Sequence, residues 1–389
     1  MNVLDWVLVV VVALYALSGY WQGFITGAFA TAGLLFGGLA GVWAAPQVLG
    51  DATPSIWVSL GALLIVIGCA SAGQAMLQWL GAKLRSRITW QPVRAVDAVG
   101  GAALSAVAVL LVAWILGVAI SGSKIGAITP AVRSSTILSA VDDALPGGAD
   151  RALRQFNSVV GTSFFPRYME PFAPERIVEV PQGDPQVLND PDVVAAQGSV
   201  LKIYGYGCGK GIEGTGFVYA NDRIMTNAHV VAGIDQPEVQ IDGENRPAKV
   251  VHYDPDLDVA VLAVDVPRAP LAFSRDVESK QKVAVLGYPQ DGPYDVQSGR
   301  VRSRQPLRSP DINGQGTVIR DVLAVRALVR PGNSGGPVVD VDGRVVGVVF
   351  AASVSDDETG YALTAEQVEE AALLGRRTAT AVDTGSCIH

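Results

Sequence analysis

Four stretches in the first 120 residues are long enough to cross a bilayer, and a chain that carries them cannot fold as an ordinary water-soluble domain. They run approximately over Val3–Tyr20, Phe24–Trp43, Ser55–Leu77 and Val96–Ile120, each with roughly 18 to 24 apolar residues. The first could pass for a signal peptide, but it lacks a basic leading region and three more spans follow, so it reads as retained. Gly33, Gly37 and Gly41 recur at four-residue spacing in the second span. Small residues at that interval let helices approach closely, which predicts a packed bundle; ordinary glycine tolerance in a membrane helix is the alternative.

Charge divides the chain at the same place. Before residue 120 the only charged residues are Asp5, Asp51, Asp97, Lys83, Arg85, Arg87 and Arg94, a net +1. Of the chain's 29 basic and 37 acidic residues, 25 and 34 lie beyond it, a net −9. A balance this acidic excludes a nucleic-acid partner. With 389 residues, two or three units are expected: a transmembrane domain over 1–120, a helical or extended linker over 121–197, and a catalytic domain over 198–389. All four basic residues of the first part lie between the third and fourth spans. Loops of that charge stay in the cytoplasm. The fourth span then runs outward, and both the amino terminus and everything after residue 120 lie outside the cytoplasm.

Cysteine usage agrees with that topology. Cys69 sits mid-span, an inert packed thiol, whereas Cys208 and Cys387 are the two in the polar part. Outside the cytoplasm disulfides persist, so a Cys208–Cys387 bridge stapling both ends of the domain is expected, worth at most about 5 kcal/mol by chain entropy. Two independent buried thiols are the alternative.

From 121 to 197 prolines recur at 130, 146, 166, 171, 174, 181, 185 and 191. Ala131–Leu145 and Asp150–Val160 read as short amphipathic helices between them, and Val180–Gln197 reads as an extended linker. From Gly198 the pattern is antiparallel β. Gly216–Tyr219 and Arg223–Thr226 flank the turn Ala220-Asn221-Asp222, and Val338–Val341 and Val345–Phe350 flank Asp342-Gly343. Further strands are expected at Val239–Ile241, Ala248–His252, Val259–Val264, Lys282–Leu286, Gln297–Val301 and Val322–Ala327. No long helix comes before Ala365–Leu374. Many short strands without crossovers argue for barrels or a sandwich.

Ser334 lies in Arg330-Pro331-Gly332-Asn333-Ser334-Gly335-Gly336-Pro337. Acyl transfer by a serine needs a base, a group that orients the base, and donors for the oxyanion. Gly332 and Gly335 can take backbone conformations closed to other residues, letting amides converge beside Ser334. The amides of Gly332 and Ser334 are the expected oxyanion donors, each worth about 3 kcal/mol in the transition state. The chain has three histidines. His389 is terminal and His252 falls within a strand, which leaves His229, in Met225-Thr226-Asn227-Ala228-His229-Val230-Val231. For the orienter, Asp254 beside Pro255 reads as turn chemistry. Asp258 has apolar flanks and runs into Val259–Val264, so it is preferred; Asp256 is the alternative. A histidine base that titrates near neutrality would make activity fall about tenfold per pH unit on its acid side. The chemistry requires no cofactor and no metal.

Thr226-Asn227-Ala228-His229, Asp258-Val259-Ala260-Val261-Leu262 and Gly332-Asn333-Ser334-Gly335-Gly336-Pro337 resemble the trypsin-like proteases, the HtrA-type branch above all. Val285-Leu286-Gly287-Tyr288-Pro289 and Gly299-Arg300-Val301 resemble that branch too. The resemblance covers residues 198–370 and implies two six-stranded barrels with the active site between them. It departs from HtrA proteases in leaving no room for a PDZ domain after Thr364. Val3-Leu4-Asp5-Trp6 and Arg94-Ala95-Val96-Asp97-Ala98-Val99-Gly100 resemble the colicin V production family. Both halves together are similar to the actinobacterial membrane-anchored acid-resistance periplasmic serine proteases. The fold class expected is an all-α four-helix transmembrane domain followed by an all-β chymotrypsin-like double β-barrel. Alignment to the trypsin-like motif implies a primary pocket with Leu328 at its base and Val349, Phe350 and Ala351 in its walls. With no carboxylate there, an apolar or small side chain before the scissile bond is expected.

The resulting expectation is a multi-pass protein of the inner (plasma) membrane, in contact with lipid. Its periplasmic serine endopeptidase domain would cleave cell-envelope proteins or peptides in acid or envelope stress resistance. The competing expectation is a membrane transport or secretion component whose β domain is a sensor or binding module. Neither the substrate nor the oligomeric state can be read from the residues.

Overall fold

The computed structural model describes residues 1–49, 56–121, 126–145, 172, 175–207, 209–313 and 316–387. They form two compact units: residues 1–118 with 134–145, and residues 119–133 with 146–389.

In the first unit α1 (Val3–Gln22), α2 (Phe24–Leu49), α3 (Ile56–Arg85) and α4 (Gln91–Ser121) are long and apolar enough to cross a membrane. The glycine spacing does what it promised. A Cβ on Gly33 would collide with the Gly73 carbonyl, one on Gly37 with the Cys69 carbonyl, and one on Gly41 with the Val66 backbone. Thus α2 and α3 pack backbone to backbone. Helix ends are closed by the two carboxylates of the colicin-type motifs. Asp5 completes a capping box with Asn2 on α1. It also accepts the Ser135 hydroxyl (2.6 Å) and the amides of Thr136 and Ile137 (both 3.3 Å), capping a helix at Thr136–Ala144. Asp97 accepts the Ile25 amide at the start of α2 (2.9 Å) and pairs with Arg85 (2.6 Å). Free N–H groups at helix starts favour such anions.

The first unit's Thr136–Ala144 helix is α6; in the second unit α5 spans Ile128–Arg133 and α7 spans Pro191–Ala196. Seven strands follow: β1 (Val200–Gly207), β2 (Lys210–Ala220), β3 (Arg223–Thr226), β4 (Glu238–Ile241), β5 (Glu244–Pro247), β6 (Lys249–Asp254) and β7 (Val259–Ala263). They form one antiparallel sheet in the order β5-β4-β1-β2-β3-β7-β6. Six more close into a barrel ordered β10-β13-β12-β11-β8-β9. These are β8 (Lys282–Gly287), β9 (Asp295–Pro310), β10 (Thr317–Arg326), β11 (Pro337–Val339), β12 (Val345–Ala352) and β13 (Thr359–Thr364). The first sheet therefore carries seven strands where six were implied. Val/Ile-rich alternation built the strands foreseen. The long β9–β10 hairpin extends well beyond its expected cores; its outer arms carry Arg304, Arg308 and Arg320, which an apolar pattern does not mark.

One further reading changes. Glu175–Gln197 is packed rather than a free tether: Val180, Val187, Val193 and Ala196 are buried. Arg300 and Arg326 donate to the carbonyls of Gln182 (3.0 Å) and Val180 (2.6 Å). Small apolar residues spaced between the prolines supply that contact, which counting prolines alone does not register. The second amphipathic stretch, Asp150–Val160, lies outside the described residues. At the other end, α8 (Ala228–Val231) follows β3, and α9 (Ala365–Arg377) leads to a tail laid on the first sheet. Its Val382 amide bonds the Val250 carbonyl (2.9 Å), and Thr384 accepts from the Gly233 amide (3.3 Å). Cys69 is a free thiol and Cys387 is disulfide-bonded, while Cys208 lies outside the described residues.

Candidate active site

β3 ends at Thr226, and α8 begins two residues later, which lifts His229 off the sheet edge. Asp258 reaches it from the turn between β6 and β7. The Asp258 carboxylate takes the His229 backbone amide at 2.9 Å and ring Nδ1 at 2.8 Å. Asp258 is fully buried and the His229 side chain is 9% exposed. Asn227 donates from Nδ2 to the Asp258 carbonyl at 2.8 Å. Asp258 has φ +65, a costly backbone state for a non-glycine residue that persists only where its surroundings impose it. Asp254 serves the turn, accepting the amides of Asp256 and Leu257 (3.0 and 2.9 Å), and the Asp256 side chain is exposed. Of the three, Asp258 is the carboxylate that contacts His229. His252 is half-buried on β6, its Nε2 lacks a partner, and burial pushes its pKa down. His389 lies outside the described residues.

Ser334 is held from four sides. Gly332 (φ +92) and Gly335 (φ +82) make the loop possible. A Cβ on Gly335 would strike the Thr215 carbonyl and the Thr226 hydroxyl. The Asn333 side chain accepts the Arg330 amide (2.9 Å), and the Gly335 amide donates to Val349 (2.8 Å). The Thr215 amide donates to the Ser334 carbonyl (2.8 Å). Its hydroxyl donates to the Gly332 carbonyl (2.6 Å) and accepts from the Tyr288 amide (3.0 Å). Thr226 donates its hydroxyl to the Thr215 carbonyl (2.8 Å). Thr215 therefore joins the strand before His229, the Ser334 loop and the β8–β9 connection. Sequence reasoning missed it. Its one signal was a threonine between two glycines, Gly214-Thr215-Gly216.

Two peptide planes are fixed in this way. The Pro331 carbonyl accepts from the Gln290 amide (2.7 Å), so the Gly332 N–H, on the opposite edge of the same trans peptide, points away from that loop. Among the described residues neither the Gly332 nor the Ser334 amide has a protein acceptor. Gln290 and Asp291 both have positive φ. Lys202 pins them, donating to the carbonyls of Asp291 (2.7 Å) and Gly292 (3.3 Å) and pairing with the Asp291 carboxylate.

Of the expected pocket residues, Leu328 is 42% exposed, on the chain between β10 and the Ser334 loop, and Ala351 is buried on β12. The Val349 side chain packs in the core cluster inside the closed barrel, and Phe350 in the cluster shared by the first sheet and the barrel. Val349 offers backbone to the site, bonding Gly335 and Gly336.

Residues 4–146 match the family described as colicin V production protein, and residues 214–348 match the trypsin-like peptidase domain. The serine protease Rv3671c of Mycobacterium tuberculosis H37Rv is 37% identical over 392 residues, covering 99% of this chain and 98% of that one. The chain belongs to this serine protease family. The crystal structure of the active form of that M. tuberculosis protease superposes with a TM-score of 0.54 at 43% identity, over 57% of this chain and 99% of that one. A probable periplasmic DegP-like serine endoprotease of Halomonas elongata is 39% identical over 144 residues, 35% of this chain and 28% of its own length. The family is thus an HtrA-type protease domain preceded by helices of the colicin V production type.

Proposed function

We propose that the chain is an extracytoplasmic endopeptidase of the cell envelope in which Ser334 is the nucleophile, His229 its base and Asp258 the orienter. The observation that carries this is the two-point grip of Asp258 on His229, amide and ring together. It fixes the ring with Nδ1 toward the carboxylate and leaves Nε2 to accept the serine proton. Ser334 Oγ attacks the scissile carbonyl, its proton passes to His229 Nε2, and the carbonyl oxygen becomes an anion. The unpartnered amides of Gly332 and Ser334 are the donors for that oxygen. On collapse His229 returns the proton to the leaving amine. Water then repeats the sequence on the acyl-enzyme. Leu328 and Ala351, with the backbone around Val349 and Phe350, form the primary pocket and take a small or apolar side chain.

The positive connection Lys83–Arg94 supports a multi-pass placement in the plasma membrane with the protease on the periplasmic side. Proteins or peptides of the envelope are then the substrates, and stress or acid resistance the setting. The Cys208–Cys387 pairing belongs to this reading. Cys387 is disulfide-bonded and Cys69 is free. The tail before Cys387 is bonded to Gly233, whose carbonyl lies against Gly207. Mass spectrometry of the oxidised protein is expected to yield the linked peptide pair. A fluorophosphonate probe is expected to label the full chain, and labelling to vanish in Ser334→Ala but not in Ser279→Ala. Persistent labelling of Ser334→Ala would remove the assignment.

A further inference from the structure

Glu175 is a carboxylate that the catalytic reading leaves unused, and it is 1% exposed. It accepts the hydroxyls of Ser353, Ser355 (2.8 Å) and Tyr361 (2.9 Å) and the Val354 amide (3.2 Å). Facing it is Arg133, 3% exposed, with Nε 3.7 Å from Glu175 Oε1. Arg133 ends α5, in the segment that follows α4, and also donates to the Ser121 carbonyl (3.4 Å). Both residues belong to the second unit. Burial pushes the Arg133 guanidinium below its usual value, with Glu175 and Tyr361 opposing.

What Glu175 holds is the end of the β12–β13 pair. Ser353 follows Ala352, the last residue of β12, and its amide bonds the Thr359 carbonyl (2.8 Å). Its hydroxyl takes the amides of Ser355 (3.1 Å) and Asp356 (2.9 Å). Tyr361 on β13 pairs with Ala351, and its neighbour Gly360 lies against Val329, next to Leu328. The four bonds to Glu175 thus end on the turn that follows β12 and on the strand that pairs with Ala351 and borders Val329, next to Leu328. An ion pair this deep recovers its desolvation cost only where its geometry is complete; what it supplies over an apolar pair is a fixed arrangement.

We propose that Glu175 is a positioning residue that sets the primary specificity pocket from behind its wall, and that Arg133 is the counter-charge that keeps it there. The inference rests on the reading of Leu328 and Ala351 as pocket residues. It makes selectivity a property of the chain that includes residues 119–133, so a protease separated from α5 selects differently.

The test uses the full chain in detergent and peptides varied at the residue before the scissile bond, with kcat and KM measured separately. In Glu175→Gln and Arg133→Met, KM for the preferred side chain is expected to rise and discrimination among side chains to fall, each about tenfold. Over the same variants kcat should stay within about threefold and fluorophosphonate labelling should persist. Arg133→Lys is expected to restore most of the lost discrimination. Ala351→Leu separates the two readings. An unchanged profile in Ala351→Leu removes the pocket assignment and this proposal with it. A changed profile there, with KM unmoved in Glu175→Gln and Arg133→Met, overturns the role of Glu175 alone. Parallel loss of kcat, labelling and melting temperature would show a merely structural brace and also overturn it. If Glu175→Gln does not fold, Arg133→Met and Arg133→Lys decide by the same criteria.

Discussion

The two halves of the protease unit supply the site in different ways. The first sheet delivers His229 and Asp258 from one short stretch of chain. The bonds that hold them, Asn227 to Asp258 and Asp258 to His229, stay within 31 residues. The closed barrel delivers Ser334 on a loop whose own turns, Arg330 to Asn333 and Asn333 to Gly336, are supplemented from distant chain. Its bonds run to Thr215, Gln290 and Val349, and the turn after β12 is held from Glu175. A base and its orienter can be positioned locally, because one carboxylate grips one ring. A nucleophile with convergent amides needs several peptide planes set at once, and the planes are set by residues far away in sequence.

Substitutions can break that contrast. Ser334→Ala should lower kcat by about a million-fold on a peptide substrate. Asp258→Asn keeps the shape but gives the His229 ring no anion to hold its tautomer, and a loss of about 10⁴-fold in kcat is expected at neutral pH. A residual rate within tenfold of wild type would mean that the local grip is not what orients the base. Thr215→Val, made in the first sheet, should act on the barrel's loop. Removing the hydroxyl frees the Gly332 carbonyl and the Tyr288 amide, with about a 10²-fold loss in kcat and little change in KM. Equal loss in both would place Thr215 in substrate binding instead.

The smallest effect concerns His252. Burial holds its folded pKa below the unfolded value, so the fold favours the neutral ring. The stability this contributes is present above the unfolded value of 6.5 and is lost as pH falls through the depressed folded one. His252→Gln should therefore flatten the decline in melting temperature between neutral pH and mildly acid pH. With the ring half in solvent, screening keeps the difference to about 0.5 kcal/mol. An unchanged slope would rule out His252 as a source of acid sensitivity.

How much of this was legible follows the same division. The apolar spans, the glycine spacing of α2 and the Val/Ile-rich strands are periodic signals, and the structure carries them at the places expected. His229 and Asp258 stood out because histidines are few and a buried aspartate needs apolar flanks. Thr215 gave almost no signal, since it works through one hydroxyl and two backbone atoms, and any small residue between glycines looks alike. Glu175 was hidden for another reason. It lies among prolines in a stretch whose composition resembles a tether, and its partners are serines 178 to 180 residues away. For the expected pocket, alignment named Val349 and Phe350 but could not register that both side chains are taken up by core clusters.

The carboxylate of Asp97 bears on the order in which the membrane part can be assembled. Its acceptor bond to the Ile25 amide joins positions 72 residues apart. Until the fourth apolar helix has been synthesised, the start of the second has no carboxylate to receive its N–H. At ordinary translation rates of about 5–20 residues per second, that interval lasts roughly 4 to 14 s. The early helices must therefore wait, inserted but unlocked, for a residue near the start of the last one, and the bundle closes only once the protease is next to emerge.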